Sequence, residues 1–393
     1  YDYNILHETF NYGIGAQYMI NKGNYITADC YADHFSSSYC FFKDNKTYNG
    51  KAGEEQVRKR TRNHNLSIKG IFKLGNRHKL SVGTEYIVDV LKSQTDNIAK
   101  EDAYTLALFA QDEIKLLRNL QALIGVRYIY HENFKNHATP NVALMYKPGK
   151  FNFRASYAAG FRTPTLSELY ATDIAKKNDR LTIGNLDLKS EKNNYFSLSA
   201  EYVHERFSVS VNAFYNNIRD MIDYNTIATG DKAMEQYGHK EVRQRDNIAE
   251  AKVHGINVSA NAYLGAGFNL SGGYTHLNTQ DVELEQPIDK SIKNAYNINA
   301  QWAHSWKIYR LNINLNGRFN SKRFSKSYGY APEYQLWDLN TRHSFNLKSV
   351  IIEPGCGMEN LFDYMDDRPY NSNYATLTPG RSFYISLSLK FKS

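Results

Sequence analysis

The strongest constraint in this sequence is a period of two residues. Between Lys307 and Phe319 the odd positions include Tyr309, Leu311, Ile313, Leu315 and Phe319, and the even ones are Arg310, Asn312, Asn314, Asn316 and Arg318. In extended backbone successive side chains point to opposite faces, so this segment has one apolar face and one face of amides and guanidiniums. A soluble sandwich has little use for an unbroken row of Asn and Arg opposite Leu and Ile. A strand standing between lipid and a wet lumen requires one. From Thr9 to Ile20 the pattern repeats, with Phe10, Tyr12, Ile14, Ala16, Tyr18 and Ile20 against Asn11, Gly13, Gly15 and Gln17. Near the end of the chain Phe383, Ile385, Leu387, Leu389 and Phe391 oppose Ser382, Tyr384, Ser386, Ser388 and Lys390.

The alternation recurs in about seventeen segments, with ends uncertain by about two to four residues. They are 9–20, 25–34, 64–74, 79–91, 103–115, 120–131, 139–146, 151–160, 194–203, 206–216, 250–263, 267–277, 293–304, 307–319, 335–345, 350–358 and 382–391. Most are long enough to cross a bilayer as tilted strands, whereas no stretch supplies the roughly 20 apolar residues of a spanning helix. The connections sort by length in register with the strands. Asn21–Asn24, Gly75–His78, Leu117–Asn119, Lys147–Lys150, His204–Glu205, Gly265–Ala266, Ser305–Trp306 and Lys348–Ser349 are tight, and the intervening ones are longer, the longest being 161–193 and 217–249. Short turns on one side and long loops on the other are the mark of an outer-membrane barrel. Tyr128, Tyr130, Tyr202, Tyr215, Trp302 and Trp306 fall near strand ends, where interfacial girdles or ordinary cross-strand packing would use them. The fold class expected is therefore all-β, a transmembrane antiparallel barrel.

Composition narrows the function. A net charge of +8 comes from scattered Lys and Arg without any nucleic-acid-binding motif, so nucleic acid is not an expected partner. Cys30, Cys40 and Cys356 have no metal-ligand spacing; Cys30 and Cys40 are either a local disulfide or two free thiols. No Gly-x-Ser-x-Gly, His-Glu-x-x-His or phosphate loop is present, and Asp112-Glu113 and Ser167-Glu168 read as hydrogen-bonding carboxylates rather than catalytic ones. No catalytic residue and no resident metal are expected.

Several motifs resemble TonB-dependent outer-membrane receptors. Gly160-Phe161-Arg162-Thr163-Pro164-Thr165-Leu166-Ser167-Glu168-Leu169-Tyr170 is similar to the family's Phe-Arg-x-Pro box, and Gly184-Asn185-Leu186-Asp187-Leu188 to its Asn-Pro-x-Leu box, with Leu186 in place of Pro. Asn247-Ile248-Ala249-Glu250, Glu359-Asn360-Leu361-Phe362 and Pro379-Gly380-Arg381 follow in the family's order. Phe161, Arg162, Pro164, Asn185 and Leu188 carry the two boxes. The resemblance implies a receptor that imports a scarce metal chelate, namely haem, a ferric siderophore or cobalamin, with energy from the TonB-ExbB-ExbD complex acting through a plug. It also implies that residues 1–393 are a C-terminal portion of a larger barrel, with the plug outside this chain and the long loops outside the cell. Outer-membrane lipid, lipopolysaccharide and a surface lipoprotein that captures ligand are further implied partners. A passive porin or adhesin barrel is the alternative.

Ligand contacts are expected from the loops. Arg162, at the end of a strand, either meets a ligand carboxylate or clamps the loop base. Tyr170, Tyr224, Tyr328, Tyr330, Tyr364, Tyr370 and Tyr374 offer stacking faces and hydroxyls, several of them expected to be plain surface tyrosines. Between Phe161 and Asn185 there is no His, which weakens haem, since haem receptors of the family usually carry one there.

Overall fold

A computed structural model describes residues 2–175, 179–368 and 373–392. The first half runs β1 (Tyr3–Asn21), β2 (Asn24–Phe41), β3 (Glu55–Leu74), β4 (His78–Ser93), β5 (Ile98–Leu117), β6 (Leu120–His131), β7 (Lys135–Tyr146), β8 (Phe151–Arg162), α1 (Leu166–Tyr170), β9 (Thr172–Ala175) and β10 (Arg180–Ile183). It continues with β11 (Glu191–Val203), β12 (Phe207–Thr229), α2 (Gly230–Tyr237), β13 (Glu241–Gly265), β14 (Phe268–Asp281), β15 (Asn294–Trp306) and β16 (Tyr309–Asn320). The rest is β17 (Arg323–Ser325), β18 (Gly329–Ala331), β19 (Tyr334–Asn346), β20 (Val350–Glu359) and β21 (Ser382–Phe391). Among the described residues, seventeen strands have ten residues or more, one for each alternating segment; β9, β10, β17 and β18 are short loop strands.

Two compact units divide the chain. Tyr1–Leu144, Tyr157–Asn194 and Ile218–Glu250 form the first; Met145–Ser156, Tyr195–Asn217 and Ala251–Ser393 form the second. In the first, β1 to β6 form an antiparallel meander of consecutive pairs. In the second, β13 to β16 and then β19, β20 and β21 do the same. Tight turns leave no room for a crossover and enforce antiparallel pairing at every other connection; the longer loops between them also join neighbouring strands.

The two faces of each meander have opposite chemistry. On one, Asn299 donates to the Asn314 and Asn316 side-chain carbonyls at 2.6 and 2.5 Å, Asn63 donates to Asp89 at 2.7 Å, and Arg127 is paired with Glu85. The other is bare hydrocarbon: Ile14 is 77% exposed and Ile385 is 88% exposed, as apolar side chains covered only by lipid must be. Aromatic rows edge that face. Tyr86, Tyr104 and Tyr130 are spaced 6.0 Å apart in the first unit. In the second, Tyr274 stacks on Tyr296 at 4.6 Å and Tyr296 meets Phe319 near the long loops, while Phe268, Trp302, Trp306 and Tyr309 line the side of the tight turns.

Two expectations change and one open alternative is decided. Many strands outrun the alternating segments: β1 begins at Tyr3, β3 at Glu55, β12 reaches Thr229 and β13 starts at Glu241. Beyond the bilayer no lipid demands an apolar face, so the ladder continues through polar residues that carry no alternation to read. The long connections 161–193 and 217–249 are accordingly organised by α1, β9 and β10 and by α2 between strand extensions. Cys30 and Cys40 are both free and ten residues apart on β2, a separation of about 33 Å at strand rise, so no disulfide joins them.

The buried core lies in the loop layer. Leu169, Leu188 and Ile222 form one cluster, with Phe134 and Tyr170 packed on it, and Leu181, Ala233 and Val242 form another. Charge ties this layer to β8. Thr165 caps α1, its hydroxyl accepting from the Glu168 N–H at 3.2 Å while Glu168 accepts from the Thr165 N–H at 2.8 Å. The same carboxylate takes Arg162 at 2.8 and 3.2 Å, and Glu191, at the head of β11, takes it at 2.8 and 2.6 Å and also accepts the Ile222 N–H at 2.8 Å. Asn185 accepts from the Asp187 N–H and donates to the Arg245 carbonyl at 3.0 Å, and Asn247 bridges Lys189 and Asp220. Phe161 stacks on His137 at 4.3 Å. Of the box residues, Arg162 and Asn185 thus hold polar contacts at the base of the loops, Phe161 stacks there on a ring and Leu188 belongs to the apolar cluster.

Two predictions follow from this architecture. Arg in place of Ile313 should cost about 2 to 4 kcal/mol and Arg in place of Asn314 under about 1, read from denaturant unfolding in bilayers; equal costs would reverse the assigned faces. The second concerns Glu168. Burial opposes its ionisation, but Arg162 and the Thr165 N–H outweigh it and hold the carboxyl below the usual range. A folded pKa below the unfolded one means the stabilisation is complete above the ordinary carboxylate range and is lost as pH falls through the folded value. Hydrogen-exchange protection at 165–171, taken relative to the intrinsic rate at each pH, should therefore be high at neutral pH and fall below about pH 4; constant protection through that range would refute the clamp.

Candidate functional site

Residues 241–245 read Glu-Val-Arg-Gln-Arg, so in extended backbone Val242 faces one way and Arg243 and Arg245 the other. β13 pairs in parallel with β10, Leu181 beside Val242 and Thr182 beside Arg243, and β10 pairs antiparallel with β9, Asp173 beside Thr182. One face of this small sheet is apolar. Leu181 and Val242 are sealed there by Ala233 of α2, which ends at Gly238 in the left-handed region, φ 72°. Arg180, Thr182, Arg243, Arg245 and Asp173 are left on the other face.

That face lines a cavity of about 150 Å³, closed by Asp96 and Ser167 on one side and Tyr224 on another. Asp96 fixes the wall: its carboxylate accepts from Ser167 at 3.2 Å and its backbone carbonyl accepts from the Thr172 N–H at 2.8 Å. The Arg245 guanidinium lies 3.5 Å from the centre of the Tyr224 ring and donates to the Tyr224 hydroxyl at 2.6 Å, so the two planes form one rigid wall. Arg243 donates to Glu241 at 2.6 Å. The Arg180 Nε is buried with no acceptor among the described residues. Burial pushes the Asp173 carboxyl above the ordinary aspartate range, Asp96 pushes the same way and Arg180 opposes both. Three guanidiniums therefore line the cavity with two carboxylates, Asp96 and Asp173, the second with its pKa raised, while a third carboxylate, Glu241, pairs with Arg243 at the edge. The site suits a planar anionic group with adjacent oxygen acceptors. It is smaller than the about 300 to 1,000 Å³ that encloses a drug-sized ligand, so it admits one arm of a larger molecule.

The expected contact residues divide. Tyr224 lines the cavity. Arg162 donates to Glu168 and Glu191, the bonding expected of a clamp on the loop base, and its side chain remains partly exposed. Tyr170 is packed on the Leu169–Leu188–Ile222 cluster. In the second unit Tyr328 and Tyr330 sit on the β17–β18 hairpin, 61% and 58% exposed. Asn373 donates to the Gly329 carbonyl at 2.8 Å, and Arg323 reaches the Tyr374 ring and its carbonyl, so these three tyrosines share one loop layer. Tyr364 stacks beside Tyr334 at 5.9 Å. Tyr370 lies outside the described residues. Sequence reading missed Arg180, Arg243 and Arg245; the alternation Val242-Arg243-Gln244-Arg245 was their one legible signal.

Residues 1–361 match the family model described as TonB dependent receptor-like, beta-barrel. The ferric enterobactin receptor of Pseudomonas aeruginosa is 23% identical over 371 residues, covering 81% of this chain and 49% of that protein. A crystal structure of that receptor superposes with a TM-score of 0.80 at 18% identity, over 99% of this chain and 62% of the other. The siderophore receptor PirA from Acinetobacter baumannii gives 0.74 at 16%, over 98% and 62%. The chain thus spans about half the length of the curated relative it matches. A match over nearly the whole sequence, on strands whose faces are sorted for lipid and water, places the chain in the TonB-dependent receptor β-barrel family, whose members are outer-membrane transporters rather than enzymes.

Proposed function

We propose that the receptor containing this barrel imports an anionic ferric siderophore, using energy delivered by the TonB-ExbB-ExbD complex through a plug. On this reading residues 1–393 are a C-terminal portion of the barrel, which accords with the share of its relatives that the chain covers. The observation that carries the choice is the guanidinium face of Arg180, Arg243 and Arg245 beside Tyr224. A ferric chelate with phenolate or catecholate arms presents paired anionic oxygens on a planar ring, and that is the group this face suits. The siderophore receptors among the relatives support the same class. Haem offers carboxylates only on flexible propionate arms and cobalamin a single phosphodiester, so neither brings paired anionic oxygens on a planar ring to this face. Tyr328 and Tyr330, with the half-buried Tyr374 behind them, belong to the loop layer of the second unit, where the two exposed rings make the first encounter.

In the full-length receptor, replacing Arg243 and Arg245 together by Ala should weaken binding of a ferric catecholate by about 100- to 10,000-fold, since bonds to charged groups contribute about 1.5 to 3 kcal/mol each and two are removed. Protein fluorescence quenching reads the affinity, and heat-modifiable migration confirms that the variant is folded. Unchanged affinity, or tighter binding of haem or cobalamin than of any ferric siderophore, would overturn the proposal. Uptake that persists without the energy-coupling complex would remove the transport half of it.

A further inference from the structure

The cavity lined by the guanidinium face also holds a carboxyl group where an anion is to bind. β9, β10 and β13 lie side by side, and one transverse row across them reads Asp173, Thr182 and Arg243. Two strand spacings, about 10 Å, separate the ends of that row. A cavity of about 150 Å³ holds roughly one six-membered ring. A ring seated over Thr182 with one oxygen toward Arg243 therefore turns its other flank toward Asp173. The two cavity carboxylates differ in what holds them. Asp96 has the Lys59 ammonium at 3.7 Å and the Ser167 hydroxyl at 3.2 Å. Asp173, half-buried at the end of the row, accepts the N–H of its neighbour Ile174.

Charge reaches Asp173 from three sides. Asp96 stands across the cavity, Arg180 lies on the adjoining β10, and β13 brings Arg243, whose Nε is taken by Glu241 at 2.6 Å, and Arg245, bonded to the Tyr224 hydroxyl at 2.6 Å. Burial and Asp96 raise the Asp173 pKa, and Arg180 opposes them. An anionic ligand oxygen and an ionised carboxylate confined to so small a space repel, and the repulsion is relieved when one of them takes a proton. Asp173 is the group placed to take it. A neutral carboxyl carries an O–H, and O–H donors make short, strong bonds to anionic oxygens. We propose that Asp173 receives a catecholate arm as a carboxylic acid: one proton passes from solvent to its carboxylate as the arm enters, and the new O–H donates to the arm's outer oxygen while Arg180, Arg243 and Arg245 balance the remaining charge. This rests on the reading of that face as the ligand site. Because the ligand favours the protonated form, affinity is highest below the Asp173 pKa of the free receptor. It falls, by up to about tenfold per pH unit, as pH rises from that value to the higher one of the complex.

The test is isothermal titration calorimetry of the full-length receptor with a soluble ferric tris-catecholate, in buffers of different ionisation enthalpy, which counts the protons exchanged on binding. At about pH 6 the wild type should take up about half to one proton more than Asp173→Asn, and between about pH 5.5 and about pH 7.5 it should lose about tenfold in affinity that the variant keeps. Protonation of the chelate itself is common to both proteins and cancels in the difference. Asparagine preserves the size of the side chain and an acceptor for the Ile174 N–H. Its amide donates where an ionised carboxylate would repel, so at about pH 7.5 the variant should bind more tightly than the wild type. Heat-modifiable migration shows that both are folded. Equal proton uptake by the two proteins, or weaker binding by Asp173→Asn at every pH, would overturn the proposal and leave the ligand site standing. If Arg243→Ala with Arg245→Ala leaves affinity unchanged, the ligand lies elsewhere, and the site and this inference fall together.

Discussion

The structure depends on one constraint: inside hydrocarbon, every backbone N–H and C=O must find a partner in the protein. Strands meet it only by pairing along their full length, and pairing forces side chains to alternate between lipid and lumen. The Asn299–Asn314–Asn316 ladder and the bare faces around Ile14 and Ile385 are two sides of that requirement. Polar side chains on the inner face hold one another, and apolar ones on the outer face need no protein partner at all. Hence the sheet has little buried core of its own, and the apolar clusters around Leu169 and Val242 form where the chain has left the membrane.

Outside the bilayer a different interaction takes over. Arg162 between Glu168 and Glu191 joins the end of β8, the capped first turn of α1 and the start of β11, and Glu191 reaches on to the Ile222 backbone. Such a knot gives long connections fixed shape. The cavity beneath Tyr224 is thereby walled before any ligand arrives, because Asp96, Ser167 and Thr172 are tied to each other and Arg245 is held over the ring and bonded to its hydroxyl. Preformed walls spare a ligand the cost of ordering them.

Legibility in the sequence followed the solvent. Where lipid met the chain, as in Lys307–Phe319, alternation named the strand, its faces and its neighbours. Where water met it, β1 and β13 continued in polar residues such as His7 and Arg243, and nothing in the sequence marked where they stopped. The Cys30 and Cys40 pair was close in number and far in space because extended chain separates what a turn would join. Arg162 was legible as belonging to a motif; whether it held a ligand or the loop depended on where Glu191 lay.

By itself the sequence determined the class of fold, the face each spanning residue presents and the side on which the long loops emerge, since all three follow from local periodicity and turn length in a two-solvent setting. Only the tertiary structure decided which loop residues meet. Arg180 and Arg243 come together through a parallel pairing of β10 with β13, and Tyr224 joins them from an extension of β12; no local rule brings three separate segments to one cavity. That convergence is set by long-range pairing and by ion pairs between distant residues, whose energies depend on distances that a linear sequence does not contain.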